Sequence, residues 1–381
     1  MPETYYCILG NTPSLSRAEL TRLLPNTTIT DIDPTIAAIE LDSDELAQNL
    51  LLRSGGVVKI ARAITTLKTT DEDTINTTIT EHLLQQDEGK ITFAIAELGR
   101  DHLPALSAAT IKQSLKTAGK KVRYQETTRH GLSAAVLSHK TVTEIIAIHA
   151  QTETLLCQTI AVQNIDHWTL KDRSKPYADR KKGMLPPKVA RMLVNIAIGS
   201  DQAQGVLLDP FCGSGTILME AMELGCSVVA SDTDTDAVLG TQRNLKWFAQ
   251  EAGINTEWSV QQADATKIDP QQPIHYLVTE PYLGKPKPQK DQVKNIFTGL
   301  HKMYLGAFKH WSKILQPGAQ IVIIFPRARA SQLGLKEDVT LHKLIDKLDS
   351  LGYTTLSEPV IYQRPQASIA REVYHLEFRG T

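Results

Sequence analysis

Residues 209–216 read Asp-Pro-Phe-Cys-Gly-Ser-Gly-Thr, DPFCGSGT, between an apolar run, GVLLD, and a helical pattern, GTILMEAMELG. Glycines at 213 and 215 let the chain turn tightly and bring its backbone close to a ligand, and the helix that follows offers unpaired N–H groups. No Gly-Lys-Ser/Thr follows, so the loop is not a P-loop, and the full GxGxxG spacing of a dinucleotide fingerprint is missing. Taken alone, the loop marks a ligand site without naming the ligand.

Its surroundings narrow the choice. From Pro186-Pro187, which suit a helix start, strand and helix patterns alternate: KVARMLVNIAIG closing at Gly199, then GVLLD, GTILMEAMELG, CSVVASD, TDAVLGTQRNLKWFAQEAG, EWSVQQAD, IHYLVTE, a helix from about Val293 to Leu315, and AQIVIIF. Such βαβα order predicts an α/β fold with a parallel, doubly wound sheet whose ligands lie at the carboxyl ends of the strands. EPVIYQR and REVYHLEF close the chain as candidate partners in a hairpin. Asp232, followed by Thr233, ends the strand after the loop, where an acid accepts hydrogen bonds from ribose hydroxyls. Asp264, followed by Ala265, comes after the third strand, placed to meet an adenine edge. Any one of Asp209, Asp232 and Asp264 would pass as a turn residue; three at three successive strand ends are harder to read that way.

Residues 1–160 alternate β-like runs (YYCILG, IAAIELD, KITFAIAEL, TEIIAIHA) with helical ones, an α+β pattern. Ser14 or Ser16 is expected to cap the first helix, and Gly119 to close the helix IKQSLKTAG. Between the two halves, from Asp166 to Arg191, periodicity fails and Lys171, Arg173, Lys175, Arg180, Lys181, Lys182, Lys188 and Arg191 accumulate against three aspartates. A basic linker over residues 161–186 is expected, either a solvated connector or a strip contacting phosphates. A net charge of −1 gives no global sign of nucleic acid, though local basic surface can bind phosphates. The four cysteines, Cys7, Cys157, Cys212 and Cys226, form no CxxC pair, which speaks against disulfides and zinc, and no metal is expected. The densest apolar run, Ile321–Phe325, is far below membrane-spanning length, and the amino terminus lacks a signal pattern; a cytoplasmic protein without membrane contact is expected.

The set DPFCGSGT, ASDTD, ADA and a fourth-strand Pro281-Tyr282 resembles the class I S-adenosylmethionine-dependent methyltransferases. More narrowly, RSKPYADRKKGMLPPKVARMLVNIA followed by LLDPFCGSGTILMEA resembles the THUMP-containing tRNA guanine-N2-methyltransferases that modify guanosine 10, and CILGNTPSLSRAEL, GGVVKIA and IKQSLKTAGKKVRYQ with LSAAVLSH resemble their RNA-binding region. The resemblance implies a THUMP-like region over 1–160 and a Rossmann-like domain over 187–381, its mostly parallel seven-stranded sheet ending in the hairpin. It implies S-adenosyl-L-methionine as cofactor and tRNA as partner, and some relatives use a small activating subunit. Asp209, Cys212, Gly213 and Gly215 would shape the cofactor's methionine side, with Phe211 and Thr216 also binding the cofactor. Asp232 and Thr233 would meet the ribose, Asp264 and Ala265 the adenine, and Met184 and Pro186 would begin the covering helix.

The same resemblance assigns the acceptor loop Leu277–Gly284, LVTEPYLG. Amino methyltransferases carry Asp or Asn, then Pro-Pro, then an aromatic. Aligned on Pro281 and Tyr282, this chain has Thr279 in the acceptor place and Glu280 in that of the first proline. Tyr282 is the candidate base platform. Glu280 supplies the missing carboxylate if the backbone turns one residue early, as hydrogen-bond acceptor and proton sink; the other reading points it to solvent or pairs it with Lys285, Lys287 or Lys290. Catalysis would be mostly in-line positioning, which can supply about 7 to 11 kcal/mol. Two rivals stay open: transfer to another RNA, DNA or protein amine, and a non-catalytic cofactor- and RNA-binding protein.

Overall fold

The computed structural model describes residues 2–86, 89–99, 106–127, 131–133, 136–137, 142–150, 152–179, 184–200, 205–363 and 366–380. Its contacts separate into two units, Met1–Pro13 with Asn26–His167, and Ser14–Pro25 with Trp168–Thr381.

The first half of the chain forms, in order, β1 (Glu3–Leu9), α1 (Pro13–Leu23), β2 (Thr30–Asp33), β3 (Ile36–Leu41), α2 (Asp44–Arg53), β4 (Val57–Leu67) and α3 (Glu72–Leu84). There follow β5 (Lys90–Gly99), α4 (Ala108–Thr117), β6 (Lys121–Tyr124), β7 (Thr143–His149), β8 (Thr154–Val162) and α5 (Ile165–Arg173). Eight strands among the described residues of the first unit make one sheet in the order β2-β3-β1-β4-β8-β7-β5-β6. Ser43 and Asp71 cap α2 and α3 by accepting from Leu46 N and Thr74 N, which satisfies donors the helix itself cannot. Gly119, at φ 81°, ends α4 as expected: it donates to the Lys116 carbonyl while Lys120 N reaches back to that of Leu115. The stretch LSAAVLSHK falls largely outside the described residues.

Helix α1 behaves differently from the reading of its sequence. It begins at Pro13, so Ser14 and Ser16 lie inside it and do not precede it as caps. From Ser14 onward its contacts belong to the second unit. Ser16 is buried with its hydroxyl 3.7 Å from Met192 Sδ, Asn195 Nδ2 donates to Glu19 Oε1 at 2.7 Å, and Arg22 Nε donates to the Ile196 carbonyl at 2.9 Å.

The second unit continues with α6 (Pro187–Ile198), β9 (Val206–Asp209), α7 (Thr216–Glu223), β10 (Ser227–Asp232), α8 (Thr235–Ala252), β11 (Trp258–Gln262) and β12 (Ile274–Thr279). It ends with α9 (Val293–Trp311), β13 (Leu315–Ala328), α10 (Ala330–Leu333), α11 (His342–Leu348), β14 (Tyr353–Thr355), β15 (Val360–Tyr362) and β16 (Ile369–Phe378). Strand order is β11-β10-β9-β12-β13-β16-β14, with β15 on β16. The run from β11 to β13 is parallel; β16 is antiparallel to β13, β14 and β15. The expected C-terminal hairpin forms between β15 and β16, and β14 joins β16 as well. Alternate residues of β13 explain its unbroken apolar run: Ile321, Ile323 and Phe325 face a core with Phe297, Tyr304, Phe308 and Trp311 of α9, while Val322 and Ile324 face one with Met192, Leu193, Ile217 and Leu218 of α6 and α7. Successive strands are added to one side of β9 (β10, β11) and then to the other (β12, β13), which places the switch point of the sheet between β9 and β12, where doubly wound folds open a crevice. No helix among the described residues is long and apolar enough to cross a membrane.

Part of the basic span, expected as either a solvated connector or a phosphate-contacting strip, turns its charge inward. Residues Ile165–Arg173 are helical, and Lys171 is fully buried, its ammonium 2.8 Å from both Glu220 Oε2 and Glu223 Oε2 of α7. Arg191 of α6 completes the group, 2.8 Å from Glu220 Oε2 and paired with Glu223. Lys171 also lies 4.1 Å from the centroid of the Trp168 ring. Lys188 is half-buried over the same ring, and burial pulls its ammonium pKa down. Arg173 is exposed, whereas Arg180, Lys181 and Lys182 lie outside the described residues. Charge in this span is therefore committed in good part to internal pairing, which sequence periodicity does not distinguish from a solvated run.

Candidate active site at the carboxyl ends of the second sheet

Four adjacent strands, β11, β10, β9 and β12, end side by side, and the acids expected from the sequence lie at or just beyond those ends: Asp264, Asp232, Asp209 and Glu280. Asp209 is buried and accepts from Thr279 Oγ1 at 2.6 Å and Phe211 N at 3.1 Å. Burial, with Asp232 and Glu280 nearby, pushes its carboxyl pKa up to about 7 against the pull of those two donors. Asp232 accepts from Gly213 N and Asp234 N, each at 3.0 Å, so it fastens the glycine loop to the end of β10. Asp264 is exposed and turns on itself, accepting from Thr266 N and Oγ1 at 2.8 and 2.7 Å, bonds that hold its pKa below the usual range. Thr233 is exposed beside Asp232, and Ala265 is buried with its carbonyl bonded by Trp311 Nε1 at 3.0 Å.

The loop itself needs its glycines for two reasons. Gly215 has φ 76° and precedes α7 without a side-chain cap, and a Cβ there would come within 2.9 Å of Thr241 Cγ2. Gly213 has φ 52°, and a Cβ on it would meet nothing within 4 Å, so the space beside its Cα is open. Cys212 is buried and burial raises its thiol pKa; it packs against α6 and α7 residues as a small core residue. Met184 is half-buried, and Pro186 is the N-cap of α6.

Three supports of this loop escape the sequence reading. Asn244 of α8 donates to the carbonyls of Ser214 and Tyr177 at 2.8 and 2.9 Å and accepts from Tyr177 N at 2.8 Å. Lys175, buried, donates to Thr216 Oγ1 at 3.2 Å. Thr241 Oγ1 donates to the Gly213 carbonyl at 2.9 Å. The Tyr177 ring lies so close over Gly240 that a Cβ there would sit 2.2 Å from it, a cue visible only as a glycine inside a helical pattern. Together these bonds strap residues 175–177 against the loop and leave little freedom in its shape.

Past β12, the two candidates for the acceptor role part company. Thr279 is fully buried with its hydroxyl donated to Asp209, so it holds the Asp209 carboxylate and does not face the open edge. Glu280, one residue beyond the strand, is partly exposed and paired with Arg371 of β16, not with Lys285, Lys287 or Lys290. Pro281 is buried, and Tyr282 is 59% exposed. The Tyr282 backbone is nonetheless fixed, since Tyr304 Oη donates to its carbonyl at 2.7 Å. A flat ring held outward beside a carboxylate is suited to stacking on a planar ligand. Among the described residues no cluster of His, Cys, Asp or Glu could hold a metal ion.

This sheet order, glycine loop and row of strand-end acids define the class I methyltransferase architecture. TrmN from Thermus thermophilus shares the fold over 99% of this chain and 100% of its own, with a TM-score of 0.57 at 16% identity. The family described as "RMKL-like, methyltransferase domain" matches residues 176–340. A tRNA (guanine(10)-N2)-dimethyltransferase of Methanothermobacter thermautotrophicus is 34% identical over 131 residues, 34% of this chain and 36% of the relative. A Methanothermococcus thermolithotrophicus protein named "Probable tRNA (guanine(10)-N2)-dimethyltransferase" is 35% identical over 117 residues, 30% of this chain and 70% of the relative. The chain belongs to the tRNA guanine-N2-methyltransferase family. Its matches span 36% and 50% of the length of two tRNA dimethyltransferase relatives.

Proposed function

We propose that this protein transfers a methyl group from S-adenosyl-L-methionine to the exocyclic N2 of a guanosine in tRNA, guanosine 10 by the names of its relatives. The observation that carries the reading is the placement of Glu280 and the exposed Tyr282 immediately past Thr279, at the switch point beside Asp209 and the glycine loop.

The residues present fit the cofactor. The space beside the Gly213 Cα is open, the start of α7 has no side-chain cap, and the acids at the ends of β9 and β10 and beyond β11 supply acceptors in a row. Asp209 with the loop would hold the amino-acid end, Asp232 and Thr233 the ribose, and Asp264 and Ala265 the adenine. When bound, S-adenosylmethionine supplies an activated methyl on a sulfonium, which needs no further activation by the protein.

The protein's task lies on the other reactant. A guanine amine is a weak nucleophile because its lone pair is delocalised into the ring. A carboxylate that accepts an N2 hydrogen favours the pyramidal amine and frees that lone pair, and Glu280 is the carboxylate in reach of the open edge. On receiving the methyl group the nitrogen would become cationic, and Glu280 would take its proton. Tyr282 would hold the base after its withdrawal from the RNA stack, which costs a few kcal/mol.

Asp209 gives this reading a pH signature. Its pKa of about 7 means that the carboxylate, which would hold the cofactor's ammonium group, is lost as pH falls through neutrality. Cofactor affinity should weaken on the acid side of pH 7. Removing the Thr279 donor in Thr279→Val should raise the Asp209 pKa and move that limb up by about one pH unit, since a hydrogen bond to a charged group is worth about 1.5 kcal/mol or more. Calorimetric titration of both proteins across neutral pH measures it; coincident profiles would remove Asp209 from cofactor binding.

For the first unit we propose the THUMP-like, RNA-binding role. Lys116, Lys121 and Arg123 are exposed on α4 and the edge strand β6, with Lys112 and Lys120 half-buried beside them, a basic surface suited to phosphates. A cytoplasmic setting follows from a tRNA substrate. The test of the whole reading is mass analysis of tRNA nucleosides after incubation with methyl-labelled cofactor: label is expected in N2-methylated guanosine, and its absence from tRNA would overturn the proposal.

A further inference from the structure

We infer that Arg371 and Glu280 form one reader of the guanine Watson–Crick edge, with Arg371 selecting for the 6-oxo group. The inference rests on the methyl-transfer reading above and adds a residue that determines its specificity.

Strand β16 runs antiparallel to β13, so its amino-terminal part lies at the edge where the parallel strands end. Register sets Arg371 opposite Pro326 on β13 and Tyr362 on β15. Residues two positions along from the pair, Val278 on β12 and Val373 on β16, pack into the same core as α6 and α7, so Glu280 and Arg371 fall on one face of the sheet by alternation. The guanidinium Nε of Arg371 donates to Glu280 Oε1, and its carbon lies 5.6 Å from the centroid of the Tyr362 ring. Both side chains remain reachable, 26% and 18% exposed. Because the pair uses Nε and Oε1, the terminal NH2 groups of Arg371 and Oε2 of Glu280 have no partner among the described residues. Those groups stay reachable at the open edge, and Glu280 stands two residues along the chain from the exposed Tyr282.

The order of groups matches guanine. Its Watson–Crick edge runs N2–H, N1–H, O6: two donors and then an acceptor. Glu280 followed by Arg371 offers two acceptor oxygens and then NH donors, so the carboxylate accepts from N2–H and N1–H while the guanidinium donates to O6. Adenine would set the lone pair of N1 against a carboxylate oxygen. 2,6-Diaminopurine is the sharper case: it keeps the 2-amino nucleophile, but it presents an N1 lone pair to Glu280 and an amine to Arg371, and both contacts are of like kind.

tRNA transcripts carrying guanosine or 2,6-diaminopurine riboside at nucleotide 10 test this directly. With methyl-labelled S-adenosylmethionine, the wild type should favour guanosine in kcat/KM by about 100-fold or more, as expected where a site leaves buried polar groups mismatched. Arg371→Met should bring that ratio to within about tenfold, through a lower rate on guanosine with the diaminopurine rate unchanged or higher. Arg371→Lys, which keeps the charge beside Glu280 without the planar fork, should fall between the two. Unchanged cofactor affinity in both variants shows that the fold is intact. An equal drop on both transcripts, or an unchanged ratio, would make Arg371 a mere support for Glu280 and overturn the inference. Label in neither transcript with the wild type would instead sink the methyl-transfer reading, and this inference with it.

Discussion

Glu280→Gln is expected to lower the single-turnover rate of methyl transfer by about 100- to 1000-fold, within the range that a positioned general base contributes. Cofactor affinity should stay near that of the wild type. The substitution keeps the length of the side chain and one acceptor oxygen, so the backbone after β12, fixed by Tyr304 on the Tyr282 carbonyl, has no reason to move. What it removes is the negative charge. A carboxamide cannot take the proton of a methylated amine, and it holds Arg371 less strongly than the ion pair does. Rapid-quench measurement with saturating cofactor reads the chemical step, and equilibrium titration reads cofactor binding. A wild-type rate would remove Glu280 from the chemistry and return the acceptor role to the rest of the loop.

Lys171→Met is expected to lower stability by about 3 to 5 kcal/mol while leaving the tRNA affinity of the folded protein near that of the wild type. The Lys171 ammonium is fully buried between Glu220 and Glu223, and Arg191 shares both carboxylates. Deleting this cation leaves the fully buried Glu220, and the partly exposed Glu223 beside it, without one of their charge partners. That loss comes at the contact between α5, α6 and α7, which underlies the glycine loop, so denaturant midpoints should shift markedly. Arg173→Met, on an exposed neighbour, should change stability by no more than about 0.5 kcal/mol. If Lys171 contacted phosphate, as one reading of the basic span has it, the opposite pattern would appear: tRNA affinity would fall and stability would hold.

The two substitutions mark where the sequence was legible. DPFCGSGT and the strand-end acids could be read because a parallel sheet buried on both faces leaves unbroken apolar runs, and its ligand-facing loops follow each run directly. Glu280 stood out for the same local reason, as an unexpected residue one step past a strand. Its partner did not. Arg371 lies far along the chain on an antiparallel strand, and only the register of β13 with β16 brings the two together. Asn244 had no local cue, because an asparagine on an amphipathic helix looks the same whether it faces water or holds two segments together. The sequence groups helix α1 with the α+β pattern of residues 1–160, yet Glu19 and Arg22 bond to Asn195 and Ile196. Lysines 171 and 175 were read as solvated or phosphate-facing because charge runs usually are, and their acidic or hydroxyl partners sit on a helix that periodicity alone does not place beside them.

The most direct test of the central claim, transfer to a guanine N2, compares tRNA transcripts that differ by one amine. Guanosine and inosine share O6 and N1–H, and inosine lacks only the 2-amino group. With methyl-labelled S-adenosylmethionine, the transcript carrying guanosine at nucleotide 10 should accept label recovered as N2-methylguanosine or N2,N2-dimethylguanosine, and the inosine transcript should accept none. Equal labelling of the two transcripts would place the methyl group elsewhere and contradict the account.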